Sequence, residues 1–252
     1  MNHLFIVGAQ RSGSTYLYHL LDSHPDVSMA KPVRPEPKFF LSDDLYCRGR
    51  RFYEETYFTA FSGRTSYLGE KSTSYIESPI AARRIRDFYP DARILMILRD
   101  PVQRAWSNYR FSRQHQLETL EFEEALAAEP DRLSSGRFNT SVNPYAYARR
   151  GHYINYIEAY LTVFMARQLH ILILEEIVGS LAAIQNLYRL LGIAQSYVPA
   201  SLGKVINSGE NDHKCPTAAL HHLALGYDES VQRLENYLGR QLDVWRCHWK
   251  FD

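Results

Sequence analysis

Short apolar runs alternate along the chain with longer stretches in which apolar residues recur every three or four positions. "HLFIVG", "RILMIL" and "LHILIL" have strand length, and each precedes a helical pattern: "STYLYHLLDSH", "PVQRAWSNYRFSRQ" and "EEIVGSLAAIQNLYRLLG". That alternation predicts βαβ units, hence an α/β fold with a parallel β-sheet flanked by helices on both faces. Tyr153, Ile157, Tyr160, Leu161 and Phe164 would form one buried stripe of a helix, and Tyr227, Val231, Leu234 and Leu238 another before Gly239. The length, 252 residues, suits a single domain over residues 1–252 with a substantial core.

Two stretches, 31–66 and 129–150, break the pattern and are expected to shape an acceptor pocket or lid, because loops at strand ends carry the sites of such sheets. Their tyrosines and arginines, Tyr46, Arg50, Arg51, Tyr53, Arg137, Tyr145 and Tyr147, are the candidate lining. The acidic run "ETLEFEEAL" reads as a solvated helix face.

The first strand leads into "FIVGAQRSGSTYLYHLL", residues 5–21. Its spacing from Gly8 to Gly13, with Thr15 two residues on, is that of a nucleotide-binding P-loop, in which backbone N–H groups at a helix N-terminus surround an anion. Position 14, however, is Ser where such loops carry Lys. The positive charge stands at Arg11, whose guanidinium can donate two bonds to a tetrahedral oxyanion but cannot give up a proton near neutral pH. A nucleoside triphosphatase also needs an acidic residue to hold magnesium. The candidate, Asp100, precedes Pro101 and is better explained as the N-cap of the next helix.

The loop, together with "KPVRPEPKFF", "GEKSTSYI", "LRDPVQRAWSNYR", "RGHYINYIEAYL", "ILILEEI" and "LENYLGRQLDVW", resembles the sulfotransferases that use 3'-phosphoadenosine 5'-phosphosulfate (PAPS), in the branch containing heparan sulfate sulfotransferases and their bacterial relatives. The resemblance runs over nearly the whole chain. It explains the missing lysine, because a phosphosulfate has no β,γ-phosphate pair to grip.

What the resemblance implies about residues can be stated position by position. Arg11, where the family more often has Lys, would stabilise the leaving phosphate oxygen. Ser12, Gly13, Ser14, Thr15 and Tyr16 would bind the cofactor through the loop, and Arg99 with Ser107, two turns along a helix, would grip the 3'-phosphate, with Arg104 assisting. Glu36 aligns with the catalytic base when Phe39 and Phe40 are matched, and Pro35 and Pro37 would hold it extended. Lys71 matches a lysine that stabilises the transferring group, while Glu70 would face the other side of the strand. Lys204 and Asn207 fall in a loop that closes over the donor, and Tyr153 is a candidate nucleotide contact. His115 and His152 are alternative bases.

Composition narrows the setting. With 29 Lys+Arg against 28 Asp+Glu, a net charge of +1 gives no global field towards nucleic acid or an anionic membrane. Cys47, Cys215 and Cys247 are odd in number and widely spaced, against a disulfide framework, and no histidine pattern suits a metal. No apolar run approaches the roughly 20 residues of a membrane-spanning helix, and a cytoplasmic location is expected. The expected reaction is sulfuryl transfer from PAPS to a hydroxyl of a small natural-product or sugar acceptor, releasing adenosine 3',5'-bisphosphate. N-sulfation of an amine or glycan, an ATP-dependent small-molecule kinase and a non-catalytic nucleotide binder are the alternatives.

Overall fold

The computed structural model describes residues 1–59, 65–135, 143–204 and 215–249. In chain order the elements are β1 (Asn2–Gly8), α1 (Ser14–Asp22), β2 (Val27–Met29), α2 (Asp43–Tyr46), α3 (Gly49–Tyr57), β3 (Tyr67–Lys71), α4 (Pro79–Phe88) and β4 (Arg93–Leu98). They continue with α5 (Pro101–Gln114), α6 (Phe122–Ser134), α7 (Tyr153–Leu161), β5 (Leu169–Ile173), α8 (Leu174–Ile177), α9 (Leu181–Leu191), α10 (Thr217–Leu238) and α11 (Asp243–Arg246). Contacts group them into two compact units, Met1–Leu98 with Ala159–Ser208, and Arg99–Glu158 with Gly209–Asp252.

The first unit holds a five-stranded parallel sheet in the order β2-β3-β1-β4-β5. Its inner strands are buried on both faces, as the near-continuous apolar runs of β1 and β4 require, and β3 carries the charged pair Glu70 and Lys71 into the same buried layer. Side-chain alternation along β1 divides two cores. Leu4 and Ile6, with Leu95 and Ile97 of β4, pack against Leu17, Leu20 and Leu21 of α1 and Ile184, Leu187 and Leu191 of α9.

The opposite face is aromatic. Phe5 meets Phe40 edge-on at 5.6 Å and Tyr89 at 5.7 Å, and Tyr53 of α3 lies 4.8 Å from Phe39 and 5.2 Å from Phe40. His3 stacks on Tyr89 at 3.7 Å, and burial pushes its imidazole down to about 4, so it belongs neutrally to this core. Tyr53, expected in the acceptor pocket, is wholly buried here. Arg50 and Arg51 pair along the exposed face of α3 with Glu54 and Glu55. Phe39, Phe40 and Tyr53 of this stretch therefore cover the sheet.

In the second unit, α5 starts as expected. The Asp100 carboxylate accepts from Val102 N at 2.9 Å and Gln103 N at 3.3 Å, and Pro101 takes the first turn. The expectation for the acidic run is corrected at Glu118, whose side chain is buried and accepts from Arg132 at 2.5 Å, Tyr147 Oη at 2.9 Å and two backbone amides. Tyr147 is therefore core as well, and Arg137 lies outside the described residues.

Phe5→Ala empties the centre of the aromatic face. It is expected to cost about 3–5 kcal/mol, read as a lower urea midpoint at unchanged m-value.

Candidate active site

The sheet is parallel, so the loops after its strands gather at one edge, where ligands of open α/β sheets bind. β1 ends at Gly8, and Ala9 N donates to Ile97 O at 2.8 Å. The chain then passes Arg11 at φ 64° and Gly13 at φ 82° before α1 begins. Gly13 is required twice over. Its φ lies in the left-handed region, and a Cβ there would stand 2.4 Å from Leu174 Cδ1. Gly13 also brings no capping side chain, so the first-turn amides of α1 are not met by a cap. Ser12 is fully buried, and its Oγ has no hydrogen-bond partner. A tetrahedral anion cradled by amides and hydroxyls is the partner this arrangement fits. Ser14 is buried and Thr15 half-buried beside it. Tyr16 turns elsewhere: its hydroxyl accepts from Gly203 N at 3.2 Å and Gly179 N at 3.5 Å.

Strand β3 lies beside β1, with Lys71 opposite Ile6. The Lys71 side chain is only 4% exposed, and its Nζ is 2.6 Å from Oε1 of Glu36, which is 15% exposed. Thr73 donates to the same carboxylate through its backbone N–H at 3.0 Å and through its hydroxyl at 3.1 Å. These donors leave the carboxylate partly exposed. The adjoining residue Ser74 accepts from Gln10 Nε2 at 3.3 Å, which ties this cluster to the phosphate loop. The structure thus brings Glu36, Lys71 and the loop together within one unit.

Glu70 faces the other way from Lys71, as strand alternation predicts, but it is no surface charge. It is 1% exposed and accepts from Tyr53 Oη at 2.7 Å and Ser72 Oγ at 2.6 Å. Burial raises its carboxyl to about 7, against the hydrogen bonds from Ser72, Tyr53 and Tyr75 that favour the anion. Sequence reasoning gave this residue a direction but no role; a Glu next to the site lysine in a strand between two others was the available signal.

In the second unit, Arg99 and Ser107 are both partly exposed, one just before the Asp100 cap and the other on α5. Tyr153 is 1% exposed, and its hydroxyl donates to the Arg99 carbonyl at 2.8 Å, so it fixes the backbone that carries Arg99. Arg104 is fully buried and donates to the Tyr147 carbonyl; its guanidinium serves this core. His115 is exposed and bonded to Phe111 O at 2.9 Å. His152 bonds Ser230 Oγ at 3.1 Å, and its imidazole is pushed down by burial and by the Arg104 charge. Lys204 lines an open depression with His19, Asp22 and Ser23 at the far end of α1 from the phosphate loop. Asn207 lies outside the described residues.

The raised carboxyl of Glu70 has a consequence for stability. Its folded value exceeds the ordinary 4.5, so the contribution is fully present below about 4.5 and is lost as pH rises through about 7. Between pH 5 and pH 8, the unfolding free energy of the wild type relative to Glu70→Gln is expected to fall by up to about 3 kcal/mol. A pH-independent difference in denaturant titrations would contradict the assignment.

Comparison with known proteins places these features in a family. The model of the sulfotransferase family matches residues 3–195. The chain is 34% identical over 176 residues to the bifunctional heparan sulfate N-deacetylase/N-sulfotransferase 1 of Mus musculus, covering 67% of this chain and 19% of that protein. To the protein of the same name from Caenorhabditis briggsae it is 30% identical over 182 residues, covering 69% and 20%. The chain therefore spans about a fifth of the length of these relatives. Among solved structures, a sulfotransferase from Alicyclobacillus acidocaldarius superimposes with a TM-score of 0.81 at 28% identity, covering 98% of this chain and 99% of the other. The matched region contains the phosphate loop, Glu36, Lys71, Arg99 and Ser107, and this chain belongs to the sulfotransferase family and is a transferase.

Proposed function

We propose that the protein transfers a sulfuryl group from PAPS to a hydroxyl of a small-molecule acceptor, such as a natural product or sugar, and releases adenosine 3',5'-bisphosphate. The observation that carries this reading is the Glu36 carboxylate, held by Lys71 and Thr73 beside the phosphate loop and still partly exposed. Glu36 takes the proton of the acceptor hydroxyl as its oxygen attacks sulfur. The new S–O bond forms as the bond from sulfur to the 5'-phosphate oxygen breaks. Lys71 stabilises charge on the sulfuryl oxygens, and Arg11 with the loop amides stabilises the departing phosphate. Arg11 stays protonated throughout, so it acts by charge and not as an acid. Arg99 and Ser107 take the 3'-phosphate, whose charge-assisted bonds distinguish this donor from ATP.

A second reading, transfer to an amine, is favoured by the relatives, which are named N-deacetylase/N-sulfotransferases. A carboxylate base serves either nucleophile, and the rates with phenol, an aliphatic alcohol and glucosamine separate the two. The proposal carries a cytoplasmic setting and neither a nucleic-acid nor a membrane partner. The unpaired Cys47 and Cys247 on the surface suit a reducing compartment, and no helix among the described residues is long and apolar enough to cross a membrane.

Calorimetric titration without magnesium tests the donor. Adenosine 3',5'-bisphosphate is expected to bind about 10-fold to 100-fold tighter than the 5'-monophosphate, a preference lost in Arg99→Ala, in keeping with one or two charge-assisted bonds. Tighter, magnesium-dependent binding of ATP would replace this reading with a kinase.

A further inference from the structure

We propose that Glu70 is a positioning residue of the transfer site, acting through Ser72 on the backbone of Lys38 to fix the segment that presents Glu36. The inference rests on the reading of Glu36 as the base. Four consecutive residues alternate in what they hold. Lys71 and Thr73 grip the Glu36 carboxylate, while Glu70 and Ser72 grip the backbone two residues further on.

The hydrogen bonds run in one direction. Lys38 N donates to Ser72 Oγ at 2.9 Å, and Ser72 Oγ donates its own proton to Glu70 Oε1 at 2.6 Å. Ser72 and Glu70 are 0% and 1% exposed, so both lie out of reach of bulk solvent. A hydroxyl has one proton to give. Committing it to Glu70 turns a lone pair towards the Lys38 amide. Tyr53 Oη donates to the second oxygen of Glu70 at 2.7 Å, so the carboxylate is used as an acceptor on both sides.

The Lys38 amide is a strategic place to hold. Pro35 and Pro37 have no N–H, which leaves Glu36 and Lys38 as the backbone donors of residues 35–38. Lys38 adopts φ 50°, a left-handed conformation that is uncommon for a residue with a side chain. It opens the short turn that carries the buried Phe39 and Phe40. Next along, Phe40 N donates to Tyr75 Oη at 3.1 Å, so the turn is pinned at two amides.

Protonation of Glu70 would convert one acceptor oxygen into a donor and force Ser72 or Tyr53 to turn its proton away. The titratable and charged groups facing it are Tyr53 and Tyr57 of α3, Tyr75 after β3 and Glu36, with Lys71 next along the strand. Burial brings this ionisation close to neutrality, so the relay is complete on the alkaline side.

The test combines Ser72→Ala, Glu70→Gln and the double variant with three readouts: affinity for adenosine 3',5'-bisphosphate, hydrogen exchange at the Lys38 amide, and single-turnover release of the bisphosphate from PAPS with water, phenol or glucosamine as acceptor. Each single change is expected to leave affinity within about twofold, to speed Lys38 exchange and to slow release by about 10-fold or more. The double variant is expected to be no slower than Ser72→Ala, since both cut one chain of bonds. The wild-type rate should also show an inflection near neutral pH that Glu70→Gln lacks, which a merely structural role would not produce. Wild-type exchange at Lys38 in the singles, or additive losses of rate, would overturn the proposal. Ser72→Ala removes one atom, so it keeps the test alive if Glu70→Gln does not fold. Glu36→Gln is the control. If it retains the wild-type rate, the reading of Glu36 as base fails; if it alone is slow, only the role of Glu70 fails.

Discussion

An ammonium and a carboxylate 2.6 Å apart, with side chains only 4% and 15% exposed, set the terms for the rest of this site. Removing two charges from water is costly, and their attraction offsets that cost only when geometry is good and the remaining lone pairs are satisfied. The Lys71 ammonium comes from the end of a strand buried on both faces. Glu36 reaches it from a proline-flanked segment and is met on its other side by the backbone and hydroxyl of Thr73. Neither charge is left to find its own place.

The sheet explains why the pair stands beside the phosphate loop. Parallel pairing sets Lys71 opposite Ile6, so the residues following both strands emerge at the same edge. The loop after β1 reaches a helix start without a capping side chain and with a buried, unpartnered hydroxyl at Ser12. One neighbouring pair of strand ends therefore supplies both the phosphate loop and the lysine and threonine that hold the Glu36 carboxylate, which arrives from the segment after β2. Sulfuryl transfer needs these two functions close together, and the missing Walker lysine is consistent with a donor that has no terminal phosphate pair to hold.

Much of this could be read from the chain alone because it is local. The strand runs, the glycine-bearing loop with its substituted lysine and the Asp100–Pro101 cap are all contained in short windows, and the structure has each of them. The pairing of Glu36 with Lys71 crosses 35 residues; resemblance assigned each residue a role at the site separately, and no pattern in the chain announced that they meet. What escaped the sequence was burial set by distant packing. Tyr53 and Tyr147 looked like pocket aromatics, but they sit beneath other rings or against a buried carboxylate. Glu118 looked solvated until Arg132 and Tyr147 closed around it. Strand β2, three residues long, is too short for a periodic signal. Lys204 had the right charge, but it lines a depression at the opposite end of α1.

The most direct test of the account is a crystal structure of the protein with adenosine 3',5'-bisphosphate bound. The account predicts the 5'-phosphate on the amides of residues 12–15 beside Arg11, with Lys71 and Glu36 facing it across a gap the size of one sulfuryl group. A bisphosphate bound away from that loop, or a 5'-phosphate with no access to Glu36, would contradict it.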